Sequence, residues 1–171
     1  LHIYDNSGGA TLKIESNTSN AYDSSKIQLL GGNLSTSEIL LGDASSASIG
    51  RIIYRHDGNS LAFDVSGSEK MRIDSAGNVG VNVVPQNSAG IWRNFQLGGG
   101  NITTRANGSN DMIIGTGFYF TTSNTELYKN TAAVSRAFFD NDSIRFQNAS
   151  SGTAGSAISW SERMRIDSSG N

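Results

Sequence analysis

The side chains that could carry chemistry are few. Asp111, Glu126, Asp140 and Asp142 are carboxylates of the kind that flank a glycosidic bond as acid and base or nucleophile. No spacing singles out two of them as a pair. Asp140-Asn141-Asp142 offers oxygen ligands for calcium, but an EF-hand loop has Gly at its sixth position, where this chain has Arg145. The two histidines, His2 and His56, belong to no His-Glu-x-x-His pattern, and the chain has no Gly-x-Ser-x-Gly and no phosphate-binding P-loop. The sequence therefore assigns no catalytic residue, no metal ligand and no cofactor. The better lead is aromatic. Trp92, Tyr119, Tyr128 and Trp160, with Phe118, cluster in the second half. Exposed, they would suit a glycan, offering apolar ring faces beside abundant Asn. Buried, they would simply fill a core.

Composition narrows the classes further. Ser, Asn, Thr and Gly make up 74 of 171 residues, with one Pro, no Cys, 16% charged residues and a net charge of −2. Without Cys there is no disulfide frame, zinc-thiolate site or thiol nucleophile. Near-neutral charge with scattered Lys and Arg gives no footprint for nucleic acid. No apolar run approaches the ~20 residues of a membrane-spanning helix, so no membrane insertion is expected. The chain opens at Leu1 and ends at Gly170-Asn171 within a turn pattern, which suggests a segment of a longer polypeptide.

Side chains of this kind must be positioned by strands. Thr11 to Glu15, Met71 to Asp74 and Ser143 to Gln147 alternate apolar and polar residues, the period of a half-buried strand. Apolar runs at Ile27 to Leu30, Ile39 to Leu41, Ile52 to Tyr54, Met112 to Ile114 and Phe118 to Phe120 read the same way. Between Asn124 and Phe139 the Thr, Val and Phe content favours strand over a helical turn. Gly, Asn, Asp and Ser punctuate these runs. Asp57-Gly58-Asn59 between Ile52-Ile53-Tyr54 and Leu61-Ala62-Phe63 is a hairpin signal, and Asp5 to Gly9 repeats it between Leu1 to Tyr4 and Ala10 to Leu12. The expected fold class is all-β, built of short antiparallel strands and hairpins.

One segment occurs twice. Ser68 to Asn78 (SEKMRIDSAGN) returns 93 residues later as Ser161 to Asn171 (SERMRIDSSGN), identical at nine of eleven positions. Upstream, Asp57 to Phe63 parallels Asp140 to Phe146, and the second copy holds about ten extra residues near Gln147 to Ile158. This predicts two β modules in tandem, 1–78 and 91–171, joined by a linker at 79–90 that contains Pro85. Within the motif, Met71 and Ile73, like Met164 and Ile166, should point to one side, into a core or onto an axis shared between chains. Arg72 and Asp74, like Arg165 and Asp167, should point to the other and pair across strands or chains. Gly77 and Gly170 are the expected positive-φ positions of the turns. Modules of about 80 residues with few large apolar side chains are marginal alone, and oligomerisation is the remaining remedy.

The repeated segment, followed by Val79-Gly80-Val81, resembles one that recurs in bacteriophage tail fibres, of the kind whose full-length chain ends in a self-cleaving intramolecular chaperone. Val79 to Pro85 is a degenerate form of the usual continuation, and Leu1-His2-Ile3 looks like the start of a further module. The chaperone domain is not visible in this segment. The resemblance implies a fibrous homotrimer, a shaft or knob of the virion. Its partners would be its own copies, neighbouring tail proteins and a host-surface glycan, and it would act without catalysis. The rival readings are a polysaccharide-degrading tailspike and a repeat-built bacterial surface adhesin.

Overall fold

The structure is a computed structural model and describes residues 26–86, 91–107 and 109–171. Among the described residues there is no helix, and thirteen strands form. In the first half these are β1 (Thr36–Leu41), β2 (Gly50–Arg55), β3 (Ser60–Val65), β4 (Ser68–Ile73) and β5 (Val79–Val81). The second half holds β6 (Trp92–Leu97), β7 (Gly100–Arg105), β8 (Met112–Thr116), β9 (Phe118–Phe120), β10 (Glu126–Tyr128), β11 (Val134–Phe139), β12 (Ser143–Ala149) and β13 (Ser161–Asp167). Eleven of them make one sheet in the order β1-β2-β3-β4-β5-β6-β7-β8-β11-β12-β13, while β9 and β10 pair separately. The all-β expectation holds.

Most neighbours are consecutive in sequence and antiparallel, because short polar turns return the chain directly. At the Asp57-Gly58-Asn59 turn, Arg55 pairs with Ser60 as the hairpin signal requires. The positive φ falls on Asn59, at 49°, a residue type that tolerates it. Ser66 and Gly67 both take positive φ, at 53° and 70°, in the two-residue turn from β3 to β4, the twist that suits a tight hairpin. The Asn124 to Phe139 region resolves into β10, a turn and β11. The run Ile27 to Leu30 forms no strand. Consecutive apolar residues alone do not make one, since a strand also needs a ladder partner. The Thr11 to Glu15 strand, the first hairpin, His2 and Leu1-His2-Ile3 lie outside the described residues.

The exception to antiparallel pairing is β5, which is antiparallel to β4 and parallel to β6. It lies within the stretch read as a linker, and the compact unit Gly31–Asn171 runs across it. A parallel neighbour needs a crossing connection, and the described part of this one folds back over β5. A Cβ on Gly80 would stand 2.2 Å from the Val83 carbonyl oxygen and 2.9 Å from Pro85 Cδ. Pro85 is buried, and the Gln86 amide donates to the buried Gln96 side-chain oxygen at 2.9 Å.

Alternation along the strands separates the sheet's two faces. In the second half one face is covered. Trp92, Ile113 and Phe138 from the sheet pack with Phe118 and Phe120 of β9 and with Ile158 and Trp160 of the β12–β13 connection. Beside them Tyr128, Val134 and Ala149 form a second small cluster. Between this core and β5 the same face is polar yet buried: Asn78, Asn94, Gln96, Asn101 and Thr103. Asn78 Oδ1 accepts from the Asn94 amide at 2.9 Å, and Thr103 Oγ1 donates to Asn94 Oδ1 at 2.7 Å and accepts from Asn101 Nδ2 at 2.9 Å. Bonded in this way, the amides avoid much of the cost of burial.

Gly80→Ala is expected to destabilise the protein by about 1–3 kcal/mol through overpacking. Gly99→Ala, whose added Cβ meets nothing within 4 Å, is expected to change stability far less. Thermal melting of the two variants side by side checks the assignment of the crossing segment.

Candidate functional site

The two copies of the repeated segment take the same local structure. In the first, Leu61 pairs with Ile73 and Phe63 with Met71, and the register shifts after Phe63. In the second, Ile144 pairs with Ile166 and Phe146 with Met164, and the register shifts after Phe146. Each strand then ends in an aspartate-closed turn. Asp74 Oδ1 accepts from the amides of Ala76 and Asn78 at 2.9 and 2.8 Å, and Gly77 takes φ 84°. Asp167 Oδ1 accepts from those of Ser169 and Asn171 at 2.9 and 3.0 Å, and Gly170 takes φ 81°. The Asn171 and Ser169 amides hold the Asp167 carboxyl below the usual carboxylate range.

The motif arginines are engaged within their own strand. Arg72 Nε and Nη2 donate to the two carboxylate oxygens of Glu69 at 2.8 and 2.6 Å. Arg165 does the same to Glu162 at 2.9 and 2.8 Å. The bulge places Glu and Arg, three residues apart, on one face, so each arginine is satisfied without a partner from a second chain. The apolar pair behaves differently from a core pair. Within one chain Met71 and Ile73 are half-buried, and Met164 and Ile166 are exposed at 54% and 36%.

Those side chains belong to a larger feature. Following the cross-strand register from β2 to β13 gives one row: Tyr54, Leu61, Ile73, Val79, Phe95, Ile102, Ile114, Ala137, Phe146 and Met164. Ten successive strands each contribute an apolar side chain to it. Ile39, Ile52, Phe63, Met71, Val81 and Leu97 flank the row on one side through β1 to β6. Met112, Phe139, Ile144 and Ile166 flank it on the other side in the second half. None of these side chains is buried, and Phe95, Leu97, Ile102, Ile114, Phe146 and Met164 rank among the exposed large hydrophobics. With strands ~4.8 Å apart and same-face residues ~7 Å apart, the stripe measures roughly 700 Å². The largest apolar patch of an ordinary monomer is about 300–600 Å².

The opposite face carries the charge. In the first half Arg51 bridges Asp64 and Glu38, while Glu69 takes Arg55 at 3.0 Å as well as Arg72. The usual arrangement of a one-layer sheet is thus inverted here: ion pairs and buried amides on one side, an open apolar stripe on the other.

Most of the residues read as chemical candidates are tied up structurally. Trp92 is 3% exposed, stacked on Phe120 with ring centroids 4.1 Å apart, and capped by Arg105 at 4.8 Å. Tyr128 is buried and its hydroxyl donates to the Ser150 carbonyl at 2.7 Å. Trp160 is half-buried between the Arg136 guanidinium, 4.2 Å from its ring centre, and the edge of Phe118, while its N–H donates to Glu126. Tyr119 is half-buried on β9. Buried or already stacked, Trp92, Tyr128 and Trp160 offer a sugar little free ring, and the core reading of these aromatics fits better. Asp111, Glu126 and Asp140 are held by three different arginines, Arg105, Arg136 and Arg145. Asp140 also closes its own turn on Asp142 and Ser143. Among the described residues no three His, Cys, Asp or Glu side chains are grouped to hold a metal ion. His56 bonds Ser37 Oγ through Nε2 at 3.0 Å.

Glu126 is the structural key to the covered half. Burial pushes its carboxyl up, opposed by Arg136 and by the Trp160 N–H. Burial likewise lowers Arg136, opposed by Glu126. The side chains are only 8% and 15% exposed for Arg136 and Glu126. Glu126→Gln is therefore expected to cost about 3–5 kcal/mol, because it strands a buried guanidinium. Adding Arg136→Met should recover much of that loss. Chemical denaturation followed by tryptophan fluorescence checks both. No family model, curated protein or solved structure matches the chain.

Proposed function

We propose that this chain is a structural segment of a bacteriophage tail fibre and works as a homotrimer, without catalysis. The observation that carries the reading is the open apolar stripe. Its central row, from Tyr54 on β2 to Met164 on β13, contains no Asp, Glu, Lys or Arg, and Arg93 on β6 enters only the flank. Its size approaches the ~800 Å² per partner of a standard stable interface. A line of ten apolar side chains with no charge to complement suits contact with another copy of itself. The repeated motif and its resemblance to tail-fibre segments supply the biological setting: a virion component, continuous with neighbouring tail proteins, that acts outside the host cell. Adhesion to a glycan through Trp92, Tyr119, Tyr128 and Trp160 is not part of the proposal, since three of the four are spent on the core.

Sedimentation or light scattering of the purified chain is expected to give three times its 18.1 kDa mass. A folded monomer at micromolar concentration would refute the reading. Ile114→Glu with Phe146→Glu should dissociate the assembly, because β8 and β12, the two neighbours of β11, would then present unpaired charge to the contact. Incubated with capsule or lipopolysaccharide, the assembly should release no new reducing ends; release would favour the tailspike alternative.

A further inference from the structure

We propose that the row from Tyr54 to Met164 is the line along which three copies meet, so that the fibre axis runs across the strands. The proposal rests on the homotrimer reading and adds the direction of assembly. Two observations support it. First, the row is the midline of the stripe: its apolar flank lies on one side in β1 to β6 and on the other in β8 to β13, so only this row is apolar from β2 to β13. Second, the stripe is long and narrow, about 45 Å along the row and about 14 Å along each strand. A contact of that shape is a seam, unlike the broad inner face of a β-sandwich.

Symmetry then fixes the arrangement. In a closed cyclic trimer the three copies of any residue lie at one height along the axis. A row ten strands long can be covered throughout its length only when it runs parallel to that axis. With the axis along the strands instead, the row would wrap around it, and its ends at β2 and β13 would stay in water. In the seam arrangement each residue of the row faces its own counterparts. Apolar side chains accept this, and the ion pairs of Glu38, Arg51, Asp64, Glu69 and Arg72 stay on the outer face.

Thiol crosslinking tests the geometry, because the chain has no cysteine. Tyr54→Cys and Met164→Cys sit at opposite ends of the row, and both native side chains are exposed. Thr125→Cys, on the exposed β9–β10 turn, serves as the outward control. Each single variant is treated with a short bis-maleimide, after circular dichroism and sedimentation establish that it is folded and trimeric. Tyr54→Cys alone and Met164→Cys alone should each give a band at twice the chain mass, holding at most about two of every three chains. Thr125→Cys should give none. Crosslinking that appears only when the two end variants are mixed would mean copies meet head to tail, and would overturn the proposal. So would a trimer in which neither end variant crosslinks to itself, an outcome that leaves the homotrimer reading standing. A monomeric wild-type chain would overturn both.

Discussion

Three residues, Val79 to Val81, keep the two halves of the sheet in register. Strand β5 bonds to β4 on one edge and to β6 on the other, so the alternation of faces passes through it from one half to the other. Side chains change face at every residue, and a slip of one position at β5 would turn the apolar row of one half to the side of the other half's charges. Several contacts oppose that slip. Asn78, just before β5, is held by the Asp74 carboxylate and bonds the Asn94 amide of β6. Gly80 admits the crossing segment where any side chain would collide with it. Asn82, just after, donates its amide to the Lys70 carbonyl.

Fixing the register decides where polar groups are buried. On the covered face the amides of Asn94, Gln96 and Asn101 and the hydroxyl of Thr103 line up across β6 and β7. Each wrong register would separate these partners, and an unpaired buried amide costs about 1–3 kcal/mol. The network therefore works against misalignment more than for raw stability. The Glu126, Arg136 and Trp160 cluster extends the same principle to the second half, where it fastens the β12–β13 connection and β10 to the sheet. Backbone bonds from Ile158 to Glu126 and from Tyr128 to Ser156 complete the attachment.

Much of this was legible residue by residue, and the part that was not has a physical cause. Alternation at Met71 to Asp74 and at Ser143 to Gln147, the glycines at 77 and 170 and the Asp57 to Asn59 hairpin all follow from local rules, and the structure has them in place. The partners of the motif arginines were not local in the same sense: a bulge at Lys70 brings Glu69 round to the face of Arg72, and a bulge is invisible to period-two counting. Strand β5 was hidden because Val-Gly-Val is too short to show a period, and its identity depends on partners on both edges. The aromatics could be placed on a face but not under a cover, since the covering elements, β9, β10 and 150–160, come from elsewhere in the chain. Buried Asn94, Gln96 and Thr103 inverted the usual equation of polar with outside.

The covered core of a single chain is small: among the described residues, Ile53, Ala62, Trp92, Ile113, Phe118, Phe120, Tyr128, Val134 and Ala149 are its buried hydrophobic members. The open stripe holds more large apolar side chains than that core does. Burial is worth about 25 cal/mol per Å², and it is the main favourable term that offsets chain entropy. In the proposed homotrimer the greater share of available burial would lie between copies, which would link folding to association. Stability would then depend on protomer concentration through mass action. The ion pairs and amides on the opposite face select the register that assembles the stripe, and covering the stripe in the proposed trimer would supply the free energy that the register alone does not.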